Sequence, residues 1–145
     1  MAGPYDKYQT DTQVEKSGVI LNYGDFKIRI ARAGGANAAY LAALDTAMRP
    51  YRKQVARGQI DRETSDRIVR DVFAETVILG WSSQQYGEGK IPGPDGNPLE
   101  FNRENVKQLL TDLPDLFADI RADAADYTLF REEAIEADVG KFSST

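Results

Sequence analysis

The run Ile68-Val69-Arg70-Asp71-Val72-Phe73-Ala74-Glu75-Thr76-Val77-Ile78-Leu79-Gly80-Trp81 carries the strongest apolar pattern in the chain. Ile68, Val69, Val72, Phe73, Val77 and Trp81 recur at steps of three and four, which places them on one face of a helix. Asp61 is a good N-cap for it. The spacing predicts the most buried helix of the protein, ending at Gly80 or a few residues past Trp81. Asp66 with Arg70, and Arg67 with Asp71, form i,i+4 pairs on its outer side and read as a solvated face.

Before this helix lies another. Asn37 is placed as an N-cap, and Leu41, Leu44, Met48, Tyr51 and Val55 form one apolar stripe. Pro50 interrupts it and predicts a kink or break, because proline lacks an amide hydrogen and crowds the preceding turn. Arg49, Arg52, Lys53 and Arg57 occupy the polar side, and Gly58 closes the helix. Upstream, Val19-Ile20-Leu21 and Phe26-Lys27-Ile28-Arg29-Ile30-Ala31-Arg32 flank Asn22-Tyr23-Gly24-Asp25. The second run alternates apolar and basic residues, so the pair reads as a β-hairpin whose apolar face must pack on the helices. Ala33-Gly34-Gly35-Ala36 breaks the strand. Residues 1–17 have few large aliphatics and no periodicity, and are expected to be disordered.

Downstream, residues 84–100 alternate glycine and proline and read as a loop or a small irregular hairpin, with Asp95-Gly96-Asn97 as a turn. A loop of this length is the first place to expect a partner contact. Asn102 then caps a short helix ending near Thr111, with Phe101 and Val106 spaced as a hydrophobic staple. A last helix starts between Asp112 and Asp115, tolerating Pro114 in its first turn. Its stripe is Leu116, Phe117, Ile120, Ala124, Tyr127, Phe130 and Ala134. Residues 139–145 read as a frayed end. The expected fold class is mainly α (α+β): a compact helical domain over 18–138, with four to five helices and an N-terminal β-hairpin.

Composition narrows function. The chain of 145 residues has neither cysteine nor histidine. That removes the thiolate nucleophile, the usual neutral-pH base and the soft metal ligands, so the expectation is no enzyme, no catalytic residue, no metal and no cofactor. No apolar run is long enough to span a membrane. The net charge of −5 argues against nucleic acid. The charge is also polarised. From Lys27 to Arg57 there are seven basic residues and one acidic one, and from Asp112 to Asp138 nine acidic and two basic. Such a molecule can dock on a partner, on itself as a homo-oligomer, or fold its two ends together, although for charge runs in general solvated helix faces are the commoner explanation.

Four pieces in order carry a resemblance: Phe26-Lys27-Ile28-Arg29-Ile30-Ala31-Arg32; Met48-Arg49-Pro50-Tyr51-Arg52; the segment Asp71 to Trp81, D-V-F-A-E-T-V-I-L-G-W; and Leu109-Leu110-Thr111-Asp112-Leu113-Pro114-Asp115-Leu116. The last is followed by an acidic helix with Tyr127 and Phe130-Arg131-Glu132-Glu133. Between the third and fourth lie the Gly/Pro-rich loop and Pro98-Leu99-Glu100-Phe101-Asn102-Arg103-Glu104-Asn105. Over about 110 residues this series resembles the tail assembly chaperones of long-tailed phages and prophages. The resemblance implies a non-catalytic protein that binds the tape-measure protein and keeps it soluble while tail-tube subunits assemble. A longer, frameshifted form would recruit the tail-tube protein. It further implies a location in the cytoplasm of the infected bacterium and absence from the mature virion. A structural virion component, such as a tail-completion or head–tail connector protein, is the alternative. Arg49, Arg52, Arg57, Trp81, Tyr86 and Phe101 are the candidate partner-binding residues. The arginines suit acidic segments, and the aromatics either line a groove beside the loop or belong to the core.

Overall fold

In the computed structural model, residues 3–131 and 139–140 are described. The helices are α1 (Pro4–Tyr8), α2 (Thr12–Ser17), α3 (Ala38–Met48), α4 (Arg52–Ala56), α5 (Arg62–Thr76), α6 (Arg103–Asp112) and α7 (Pro114–Ala125). The strands are β1 (Val19–Asn22), β2 (Phe26–Ile30), β3 (Ile78–Ser83), β4 (Gly87–Glu88), β5 (Lys90–Pro92), β6 (Pro98–Glu100) and β7 (Val139–Gly140). The fold is α+β, and the strands contribute more than a hairpin.

The expected hairpin is present: β1 and β2 pair antiparallel, with Val19 opposite Ile30 and Leu21 opposite Ile28. Its inward residues Leu21, Ile28 and Ile30 are fully buried, while Arg29 on the opposite face is exposed. Strand β2 also pairs with β3, making a five-stranded sheet in the order β4-β3-β2-β1-β7. β3 corrects the sequence expectation, since the helix stops at Thr76 and residues 78–83 are extended. The cause is a bulge. Ile30 faces Ile78 and Arg29 faces Gly80, so Leu79 is the additional residue. A bulge inserts one residue into the ladder. The inward residues Ile78 and Trp81 are therefore three apart instead of two, a spacing that imitates a helix.

Helix α5 begins where Asp61 accepts a hydrogen bond from the Thr64 amide (2.7 Å); it buries Ile68 and Val72, and packs Phe73 and Ala74 into the core shared with the sheet. The phenyl ring of Phe73 meets Tyr40 and Phe117 edge-on, at 6.0 and 5.7 Å between centroids. The polar side of α5 is solvated as expected, but neither expected pair, Asp66 with Arg70 or Arg67 with Asp71, forms. Asp66 lies 3.8 Å from Arg62 and 3.7 Å from Arg121, Asp71 lies 3.9 Å from Lys107, and Arg67 donates to the Tyr51 hydroxyl. Asn37 occupies the N-cap position of α3 without capping it. Its buried amide donates to the carbonyls of Arg32 (2.9 Å) and Thr76 (3.1 Å), tying the start of α3 to the end of α5.

Pro50 falls in a 3-10 turn (Arg49–Tyr51) that separates α3 from α4, the break its chemistry requires. In the resulting arm, α3 to α4, no residue is buried; Leu41 is 52% and Val55 42% exposed. The apolar stripe is therefore only partly covered, by α5. Helix α6 is capped by Asn102, which accepts from the Asn105 amide at 2.8 Å, and buries Val106 and Leu110. α7 buries Phe117, Ile120 and Ala124, then ends earlier than expected. The Asp126 carboxylate accepts from the Thr128 amide (3.0 Å) and starts a 3-10 turn, Tyr127–Phe130. The rest of the expected stripe, at Ala134, lies outside the described residues; of the expected frayed end, 139–145, Val139 and Gly140 instead pair in parallel with Leu21 and Asn22 as β7, and the remainder lies outside the described residues.

The segment read as disordered also folds differently. Within residues 3–17, Asp11 caps α2 through the amides of Gln13 and Val14. Its own amide donates to Phe130 O (2.8 Å). Glu15 is buried in an ion pair with Arg32, beneath Gly35. A Cβ at Gly35 would collide with the Glu15 carboxylate, and the backbone there has φ +52°. Composition cannot reveal this order, because its partners lie as far as 125 residues away.

Candidate functional site

The six candidate residues fall into two groups that the fold keeps apart. Arg49 and Arg52 stand on the arm, where both donate to the Asp45 carboxylate, at 3.0 and 2.9 Å. Those hydrogen bonds, from Arg49 first and then Arg52, hold Asp45 below its ordinary carboxylate pKa. Arg57 is exposed at the end of α4, with no ion pair among the described residues.

The aromatic group lies beside the second sheet. Trp81 points into the core at 2% exposure and meets Phe101 edge-on at 5.2 Å. Of its two readings, the structure takes the core one. Phe101 is half-buried against it. The 84–100 segment is the small hairpin: β5 and β6 pair with Ile91 opposite Leu99. Asp95 accepts from the Asn97 amide (3.0 Å) in the expected turn, and that bond keeps the Asp95 carboxyl below its usual range. Tyr86 joins the hairpin rather than lining a groove; its hydroxyl donates to Gly96 O, and its amide donates to Ser83 Oγ (3.1 Å). Ser83 Oγ in turn donates to Lys90 O at 2.7 Å. The turn region is therefore held at several points to β3.

Holding the hairpin there opens a groove between its tip and α6, with a volume of about 410 Å³. Pro92, Pro94, Leu99, Leu109 and Leu113 line it, with Gln108 and Asp112 at its edge. Leu113 is 47% exposed at the junction of α6 and α7. Two successive loop prolines and leucines four apart on one helix face create this surface. The sequence shows each piece, but their meeting depends on β5 and β6 folding back over α6. Such a groove can receive one or two aliphatic side chains from a partner segment.

Among the described residues, no group of three or more acidic side chains is placed to hold a metal ion. No described helix is long and apolar enough to cross a membrane. The chain matches no curated protein and no solved structure. The profile of the YdaY prophage protein family matches residues 35–141, which span α3 through β7 and contain both the arm and the groove. The chain belongs to the YdaY prophage protein family.

Proposed function

We propose that this prophage protein is a non-catalytic tail assembly chaperone that binds the tape-measure protein, keeps it soluble and helps bring tail-tube subunits to it. The observation that carries the reading is the open apolar groove between the β5–β6 hairpin and α6. Long helical proteins present aliphatic side chains at i, i+3, i+4 and i+7, and a groove walled by Leu99, Leu109 and Leu113 suits such a row. The four-part sequence resemblance and the membership of a prophage family support the same assignment. On this reading the protein works in the cytoplasm of the infected bacterium and leaves before the virion is complete.

The test is co-expression with the tape-measure protein of the same prophage, scored by soluble yield and co-purification. The wild-type chain should bring the tape measure into the soluble fraction, and Leu113→Glu should reduce the captured amount at least about tenfold, because a charge would enter an apolar contact. A tape measure that stays insoluble and unbound beside well-folded wild-type protein overturns the assignment. Finding the protein in stoichiometric amounts in purified particles would support the virion-component alternative instead.

A further inference from the structure

The walls of the groove between the β5–β6 hairpin and α6 restrict what can lie in it. Partner segments commonly dock as an added strand, as a helix, as a polyproline-type ligand on aromatic rings, or as an acidic stretch on arginines. Strand addition needs free backbone amides, and the hairpin wall has none to give. Pro92 and Pro94 lack an amide hydrogen, Gly93 donates to Asn97 O (2.8 Å), and Leu99 stands in the ladder opposite Ile91. On the other wall Leu109 lies within α6, and Leu113 donates to Leu109 O (3.0 Å). Among the described residues, no aromatic ring, lysine or arginine lines the groove, so a polyproline ligand or an acidic stretch would lack its usual contacts. An α-helix meets neither obstacle, because its own amides are bonded within it.

The rim adds a charge. Among the described residues that line the groove, Asp112 alone is charged. It is exposed and has no ion pair among the described residues, and one of its oxygens accepts from Gln108 Nε2 at 2.7 Å. That donor is a neutral amide, so the carboxylate keeps its charge unopposed and has acceptor capacity to spare. We infer that the groove takes an amphipathic α-helix whose aliphatic row sits over Leu99, Leu109 and Leu113 and is flanked on one side by a lysine or arginine that meets Asp112. The inference rests on this groove being the client site, and it adds which helices the site selects. A helix with a basic flank is favoured, while one of equal apolar content with an acidic flank sets carboxylate on carboxylate and is disfavoured.

The experiment is fluorescence anisotropy of three labelled synthetic peptides titrated with the full chain. The first is helical, with leucines at i, i+3, i+4 and i+7 and lysines along one flank. The second carries glutamates in place of those lysines, and the third has the first peptide's composition rearranged into strict alternation. The wild-type chain should bind the lysine-flanked helix at least about threefold more tightly than the glutamate-flanked one, and the alternating peptide more weakly than either. Asp112→Lys should reverse the order of the two helices, a result that neither an unfolded variant nor the overall negative charge of the protein can produce. A wild-type chain that binds neither helix overturns the inference; the groove is then closed to helices or filled by the protein's own chain. So does equal or tighter binding of the alternating peptide, or an order that Asp112→Lys leaves unchanged. If the peptides fail while the tape measure is still captured, the chaperone reading stands without this inference. If they bind as expected while the tape measure stays insoluble, the helix site stands and the chaperone reading falls.

Discussion

Helix α5 buries Ile68, Val72, Phe73, Ala74 and Thr76, whereas the neighbouring arm of α3 and α4 buries nothing. Both segments carry apolar residues at steps of three and four. α5 lies among the sheet, α3, α6 and the ring of Phe117, so its stripe is enclosed. Among the described residues the arm packs chiefly on α5, and Leu41 and Val55 remain exposed. The contrast shows what periodicity specifies. It says which face of a helix is apolar, while the number of neighbours decides whether that face becomes core or stays available to a partner.

The comparison can be broken most forcefully at Phe73. Phe73→Ala should cost about 3–5 kcal/mol, the usual price of emptying an enclosed aromatic site, read from the midpoint and slope of urea unfolding. A loss below about 1 kcal/mol would mean that α5 is not enclosed as described. A smaller effect should separate two carboxylates. Asp61 caps α5 and is held below its ordinary pKa by the Thr64 amide, while Asp45 on the arm is lowered by hydrogen bonds from Arg49 and Arg52. Both folded values lie below the unfolded one, so each contribution is present above about pH 4 and is lost as pH falls through the folded value. Salt should weaken the contribution of Asp45, whose partners are exposed cations, more than that of Asp61, whose partner is a fixed amide. Acid unfolding of Asp45→Asn and Asp61→Asn at low and high salt checks this; equal salt sensitivity would remove the distinction. The least effect is expected at Leu41→Ser and Val55→Ser, each within about 0.5 kcal/mol by thermal or urea unfolding of the dilute protein. A large loss at either would show that the arm is covered within its own chain.

The parts of the fold legible in the sequence are those whose cause is local. Alternation over Phe26 to Ile30 gives a strand, Asp61 and Asn102 start helices, and Pro50 breaks one. β3 escaped because its bulge spaces Ile78 and Trp81 like helix neighbours. The order of residues 4–17 escaped because Glu15 is held by Arg32 and Asp11 by Phe130, both distant in sequence. For the candidate surface, sequence placed the arginines of the arm and pointed to the 84–100 segment. Of the two readings it left for Trp81, the sheet realises the core one, and sequence did not bring Leu99, Leu109 and Leu113 together, since only the hairpin's return across α6 does that.

The two ends of the described chain are fastened to each other: the Asp11 amide donates to Phe130 O, and Arg131 donates to the carbonyls of Asp6 and Lys7, the latter at 2.8 Å. In synthesis this has a cost in time. A ribosome adds roughly 5–20 residues per second, so β1 and β2 emerge several seconds before β3 exists to pair with β2, and longer still before Phe130 can secure α2. During that interval the hairpin's apolar face has nothing native to bury against, and a lone hairpin is marginal in water. Folding of this protein is therefore governed by late, long-range closure, with its N-terminal strands made first and locked last.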